Sequence, residues 1–148
     1  MNKGWLLDTS VISAFAPGKP AVAAGVSEWM LAQSSQLYIP CIAVMEIEQG
    51  ICKLKRVGGG KRADALGRWL DGLIKNYGER LLPFDIAASR SAGKIADDAM
   101  SAGQHPGFAD VAITAIAQQA KLTVLTCNLK HFLPLDCPCA DPFVELPD

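Results

Sequence analysis

The sequence predicts an α/β domain whose sheet is mostly parallel and covered by helices on both faces. Three observations carry that expectation. Short apolar runs alternate along the chain with longer stretches of helical spacing, the order that builds βαβ units. The runs themselves, Trp5–Leu7, Leu37–Ile39, Leu81–Leu82 and Leu122–Leu125, are almost continuously apolar, as strands buried on two faces are. At 148 residues, 50% hydrophobic and 20% charged, the chain suffices for one domain with a core of its own and falls outside the disordered range.

The first strand, Trp5–Leu7, ends at Asp8. Asp8, Thr9 and Ser10 are all suited to capping a helix that begins with Val11 and Ile12. Pro17-Gly18-Lys19-Pro20 then breaks the chain. Val22, Val26, Trp29 and Met30 mark a helix over 21–33, and Leu37–Ile39 is a strand stopped by Pro40. Val44, Ile47, Ile51 and Leu54, at intervals of three and four, give a helix from about Ala43. Gly58-Gly59-Gly60 is a loop within the domain, before a helix carrying Leu66, Trp69, Leu70, Leu73 and Ile74. Leu81–Leu82 is a brief strand stopped by Pro83, and an alanine-rich helix runs from about Asp85 to Met100. After Gly103 and Pro106-Gly107 comes a helix over 108–120, small and apolar nearly all round, hence buried. Leu122–Leu125 is the most convincing strand, and Phe143-Val144 is expected to add an edge strand.

The formal net charge of −1 excludes binding to nucleic acid through bulk electrostatics, so any such contact has to be local. The apolar residues before Asp8 are too few for a signal-peptide core, and no stretch approaches the roughly 18 that a membrane span needs. Five cysteines, odd in number and irregular in spacing, make no disulfide framework, so the expected location is the cytoplasm, with thiols reduced. Cys137-Pro-Cys139 near His131 lacks the two-residue gap of zinc sites.

Function in parallel sheets gathers beyond the carboxyl ends of the strands. Asp8 follows the first strand, Glu46 lies in the first turn of the helix after the second, and Thr126-Cys127-Asn128 follows Leu122–Leu125. Asp110 enters near the start of the buried helix. Each acid has an ordinary reading: Asp8 as a helix cap, Asp110 as a favourable charge at its own helix's amino end, Glu46 as part of a solvated face. The apolar stripe leaves Glu46 well off the buried side and Glu48 nearer its boundary, so periodicity does not single out Glu46. Acids gathered at one edge repel one another unless a cation neutralises them. Oxygen donors of this kind suit Mg²⁺ or Mn²⁺.

"LLDTSVIS" near the start, "AVMEIEQGI" at 43–51, "FADVAITAIAQQAKLTVLTCNLKHF" at 108–132 and a late "DPF" resemble the PIN-domain ribonucleases, specifically the VapC-type toxins of bacterial toxin–antitoxin pairs. The resemblance covers nearly the whole chain, in the family's order and spacing. It implies one domain over 1–148, built as a three-layer α/β/α sandwich with a central parallel sheet. It also implies an acidic pocket that holds Mg²⁺ or Mn²⁺ and cuts RNA, with transfer RNA among the candidate substrates and an antitoxin as partner. Asp8 matches the family's first acid, Glu46, four before Gly50, the second, and Asp110 the third. Ser10 and Thr126 match hydroxyl positions that support the acids or their waters. On this reading Asp8 and Asp110 hold the metal, and Glu46 orients or deprotonates the attacking water. Many members carry a fourth acid at the place of Asn128 or of His131; here Asn128 brings a carbonyl without charge, which leaves a second metal ion open.

Lys53, Lys55, Arg56, Lys61 and Arg62 fall within ten residues around the triple glycine. They read either as a solvated surface or as an arm for RNA or for an acidic antitoxin. Two rivals stand beside the nuclease: a non-catalytic PIN-like module binding RNA or antitoxin, suggested by Asn128 and His131, and a Mg²⁺-dependent phosphotransfer domain, in which a second acid would replace Ser10. Trp29, Met30, Trp69 and Leu73 predict apolar faces for a homodimer or an antitoxin, or else core.

Overall fold

Strands of two to four apolar residues are stable only when neighbours pair with them and helices cover them. The computed structural model describes residues 4–148 and supplies both. In chain order it contains β1 (Trp5–Leu7), α1 (Thr9–Ser13), α2 (Ala24–Ala32), β2 (Leu37–Pro40), α3 (Cys41–Arg56) and α4 (Gly60–Tyr77). There follow β3 (Leu81–Leu82), α5 (Ile86–Ser101), α6 (Phe108–Ala120), β4 (Thr123–Leu125), α7 (Leu129–Phe132) and β5 (Cys139–Ala140). Among the described residues the five strands form one parallel sheet in the order β3-β2-β1-β4-β5. Trp5 stands opposite Leu37 on one side and Thr123 on the other, so β1 lies at the centre. Strand order reverses there, which makes the β1–β4 crevice a topological switch point.

Successive side chains of β1 point to opposite faces, and each face has its own core. Leu6 and Val124 pack with Ala92, Ile95, Ile113 and Phe132 beneath α5 and α6. Trp5 and Leu7 pack with Val11, Ile39, Ile47 and Leu70 beneath the amino-terminal helices. Seven consecutive residues of α6, Val111 to Ala117, are buried, as its small apolar composition requires. The result is the three-layer α/β/α arrangement with a parallel sheet. No helix among the described residues is long and apolar enough to cross a membrane.

Several boundaries differ from the sequence reading. The edge strand is Cys139–Ala140, not Phe143-Val144. The backbone N–H groups of Val124 and Thr126 find their acceptors on Pro138 and Ala140, so pairing is complete before Phe143 is reached. Asp141 then ends the strand: its Oδ1 accepts the Phe143 N–H at 3.0 Å and its carbonyl accepts from Val144 and Glu145. Helix α2 starts at Ala24, later than the apolar pattern suggested, while α3 starts at Cys41, directly after Pro40. Glu46 therefore falls in the second turn of α3 rather than the first. Asp85 caps α5 as a side-chain acceptor from the Ala88 N–H at 2.9 Å.

The apolar residues of the amino-terminal helices divide between core and surface. Met30 is buried, and the half-buried Trp29 ring meets Trp5 edge to face at 4.9 Å. Met30, Trp69 and Leu73, with Phe15 and Leu31, line an apolar cavity of about 320 Å³ between α2 and α4.

Candidate functional site

Strands β1 and β4 end together at the switch point, and the Asp8 N–H continues their pairing by donating to the Leu125 carbonyl at 2.9 Å. Asp8 is thereby fixed at the sheet edge, only 5% exposed. Its main chain caps α1, the carbonyl accepting from Val11 at 3.0 Å and Ile12 at 3.1 Å. Its side chain does not cap. Instead Oδ2 accepts two hydroxyls, Ser10 at 2.8 Å and Thr126 at 2.8 Å. Each hydroxyl oxygen in turn accepts a backbone N–H: Ser10 from Cys127 at 3.0 Å and Thr126 from Asn128 at 2.9 Å. Each hydroxyl thus gives its one proton to Asp8 and accepts from the main chain, which fixes its orientation. Both bonds end on the same oxygen, which leaves Oδ1 without a hydrogen bond among the described residues.

Glu46 is half-buried on α3, whereas Glu48 is exposed. The cause lies outside the helix: the Thr9 hydroxyl donates to Glu46 Oε1 at 2.6 Å and draws the carboxylate toward α1. The sequence offers Thr9 only as a cap for α1, and no side chain among the described residues caps that helix; its hydroxyl goes to Glu46 instead. Asp110 is the third residue of α6, its side chain 26% exposed, with Oδ2 at 3.6 Å from His131 Nδ1 on α7. Burial raises the Asp110 carboxyl above its ordinary range; His131 opposes that, and the charges of Asp8 and Glu46 add to it. The three acids, from a strand end and two helices, thus share one electrostatic environment.

Asn128 stands before α7, its N–H on Thr126 and its side chain free of any capping bond. Cysteine chemistry has little support at this edge. Burial, with smaller contributions from Asp141 and Asp8 and opposed by the Ser10 hydroxyl, raises the Cys127 thiol; burial pushes Cys137 up to about 12. Of the five clustered cations, Lys53 and Arg62 line a cleft next to Glu46, Lys55 pairs with Asp64 at 3.9 Å, and Arg56 and Lys61 are exposed beyond it.

No three His, Cys, Asp or Glu side chains among the described residues close on one point as a finished ligand cage. The donors at the edge are carboxylate oxygens, and the charges of Asp8 and Glu46 add to the raised proton affinity of Asp110, a condition that a hard divalent cation relieves. Mg²⁺ keeps several waters and is commonly held by one or two carboxylates together with substrate phosphate. An all-carboxylate donor set that does not close into a cage is compatible with that style of binding and not with a four-ligand zinc site.

A family model for the PIN domain matches residues 5–132. The chain is 35% identical over 116 residues to the VapC ribonuclease Y4jK of Sinorhizobium fredii, covering 76% of this chain and 79% of that protein. It is 30% identical over 140 residues to toxin FitB of Neisseria gonorrhoeae, covering 93% and 97%. The crystal structure of FitAcB from Neisseria gonorrhoeae superposes with a TM-score of 0.81 at 30% identity, over 94% of this chain and 98% of that one.

Proposed function

The chain belongs to the PIN-domain family, homologous to the VapC- and FitB-type toxins of bacterial toxin–antitoxin systems, and from that premise we propose that it is a metal-dependent endoribonuclease. One observation supports the reading most: Asp8, at the switch point, and Glu46 lie near enough to Asp110 for their charges to add to the rise that burial gives its proton affinity. Asp8 and Asp110, with Glu46, would hold Mg²⁺ or Mn²⁺. Such an ion, when bound, offsets charge developing on the phosphate and acidifies its bound water. The chain's own part is positional. Ser10 and Thr126 hold Asp8 by Oδ2 and leave Oδ1 for the pocket. Thr9 aims Glu46, which orients the attacking water and takes its proton as the water oxygen adds to phosphorus and a sugar oxygen leaves.

On this reading residues 1–148 act as one domain in the cytoplasm, as the toxin of an antitoxin-controlled pair, with transfer RNA a candidate substrate. The apolar cavity between α2 and α4 supports a protein contact, in a homodimer or with the antitoxin. A second reading, a non-catalytic module that binds RNA or antitoxin, has one observation in its favour: His131 lies against Asp110 where many family members place a carboxylate.

Incubating the full chain with single-stranded RNA in Mg²⁺, Mn²⁺ or chelator separates the two. The nuclease cleaves with either ion and not with chelator, and Asp8→Asn lowers the rate by about 100-fold or more, the scale of losing a group on which charge stabilisation depends. Unchanged turnover in a folded Asp8→Asn chain overturns the site assignment. RNA binding without cleavage in either ion favours the module.

A further inference from the structure

Next to the acids, between α1, α3 and α4, lies a cleft of about 430 Å³ whose walls include Thr9, Lys19, Glu46, Lys53, Arg62 and Trp69. Thr9 and Glu46 are bonded to each other, so the cleft begins where the acidic edge ends. Its cations arrive from three separate parts of the chain: Lys19 from the α1–α2 connection, Lys53 from α3 and Arg62 from α4. Gly18, at φ +85°, turns the connection toward α4, and the Arg62 guanidinium carbon lies 3.9 Å from where a Cβ on Gly18 would stand. Lys19, Lys53 and Arg62 make no ion pair among the described residues, in contrast to Lys55. Three unpaired cations facing one carboxylate form a local positive site on a chain whose net charge is −1, and such a site attracts an anion.

We infer that this cleft is a nucleotide subsite, which takes the single-stranded RNA segment flanking the bond to be cut and sets its phosphates against Lys19, Lys53 and Arg62. The inference rests on the nuclease reading above and adds a path for the strand, from Glu46 outward between α3 and α4. The cleft's volume accommodates a nucleotide-sized ligand and not a duplex. Half-buried Trp69 gives it an aromatic wall, which suits sequence-tolerant contact with a base. Lys19 was not singled out in the sequence, where it stood between two prolines in an apparent chain break. Arg56 and Lys61, which were, lie outside the cleft.

The test uses the Asp8→Asn chain, so that binding is read without cleavage, and a fluorescein-labelled single-stranded RNA of about 12 nucleotides, a length within the range of such sites. Anisotropy titrations over a range of salt concentrations give the affinity and its salt slope. Combining Lys19→Gln, Lys53→Gln and Arg62→Gln should weaken binding about 30-fold or more and flatten the log–log salt slope by about 2, the value for three lost single-strand phosphate contacts. Combining Lys55→Gln, Arg56→Gln and Lys61→Gln should leave the affinity within about twofold, since charges away from the strand are screened. All three cleft cations are exposed, so the fold should survive; Lys53→Glu alone, with unchanged circular dichroism, should weaken binding about 10-fold. If the cleft variant binds RNA like its parent while the wild-type chain cleaves RNA, the subsite is overturned and the nuclease reading stands. If the wild-type chain neither binds nor cleaves RNA with Mg²⁺ or Mn²⁺, both fall together. Unchanged RNA affinity with lost binding of a poly-glutamate peptide assigns the cleft to a protein partner and also overturns the subsite.

Discussion

Asp110 is a carboxylate that the fold holds more readily with its proton on. Its ordinary value is 3.8 and the folded value is higher, chiefly through burial. A carboxyl whose folded value is raised contributes stability below the unfolded value and loses that contribution as pH rises through the folded one. At neutral pH, without metal, Asp110 therefore destabilises the native state. Asp110→Asn should abolish RNA cleavage yet melt no lower than wild type at pH 7, and its advantage should shrink as pH falls toward 4; thermal melts in chelator at several pH values check this. His131→Asp should lower several-fold the Mg²⁺ concentration for half-maximal cleavage, because charge count governs affinity in oxygen-ligand sites, while His131→Ala changes it little. The positions of Asp8 at the sheet edge and of Asp110 in the first turn of α6 were legible in the sequence, one from its place after a strand and the other from its isolation in an apolar segment. The helical wheel misplaced Glu46 because Thr9, 37 residues away, draws it inward. Only its spacing from Gly50, read through the family resemblance, selected it.

The elements were legible wherever burial decided them. Helix α6 appears with the bounds its apolar composition implied, and every apolar run expected to be a strand near the switch point is one. The expected edge strand failed on pairing: Phe143-Val144 has the side chains of a strand, but β4 has already satisfied its hydrogen bonds on residues before Asp141. Gly4, just before β1, shows how narrowly pairing constrains a position. It has φ +152°, and a Cβ there would stand 2.4 Å from the backbone oxygen of Gln36. Gly4→Ala should shift β1 against β2 and cost about 1–3 kcal/mol, measurable by urea unfolding. A cost below about 0.5 kcal/mol, the size of an ordinary surface change, would show that β1 relaxes freely.

The whole molecule is two cores that share one sheet. All three tryptophans belong to or pack against the core of the amino-terminal helices, whereas Ile113, Val124 and Phe132 fill the other. Tryptophan fluorescence therefore reports one face and far-UV circular dichroism reports both. Because β1 and β4 serve each core, the two signals should follow one urea transition, with a single midpoint; separated midpoints would show that the faces unfold independently. Net charge and composition disclosed none of this organisation, since a value of −1 conceals an acidic edge beside a basic cleft. The hydrogen bond from Thr126 to Asp8 spans 118 positions of the chain, and it bears on timing. During synthesis Asp8 emerges well over a hundred residues before the hydroxyl that holds it, since the two lie 118 positions apart. Until β4 leaves the ribosome, β1 has one open side and the acids have no common edge to meet on. An edge joined this way is assembled only once β4 has been made.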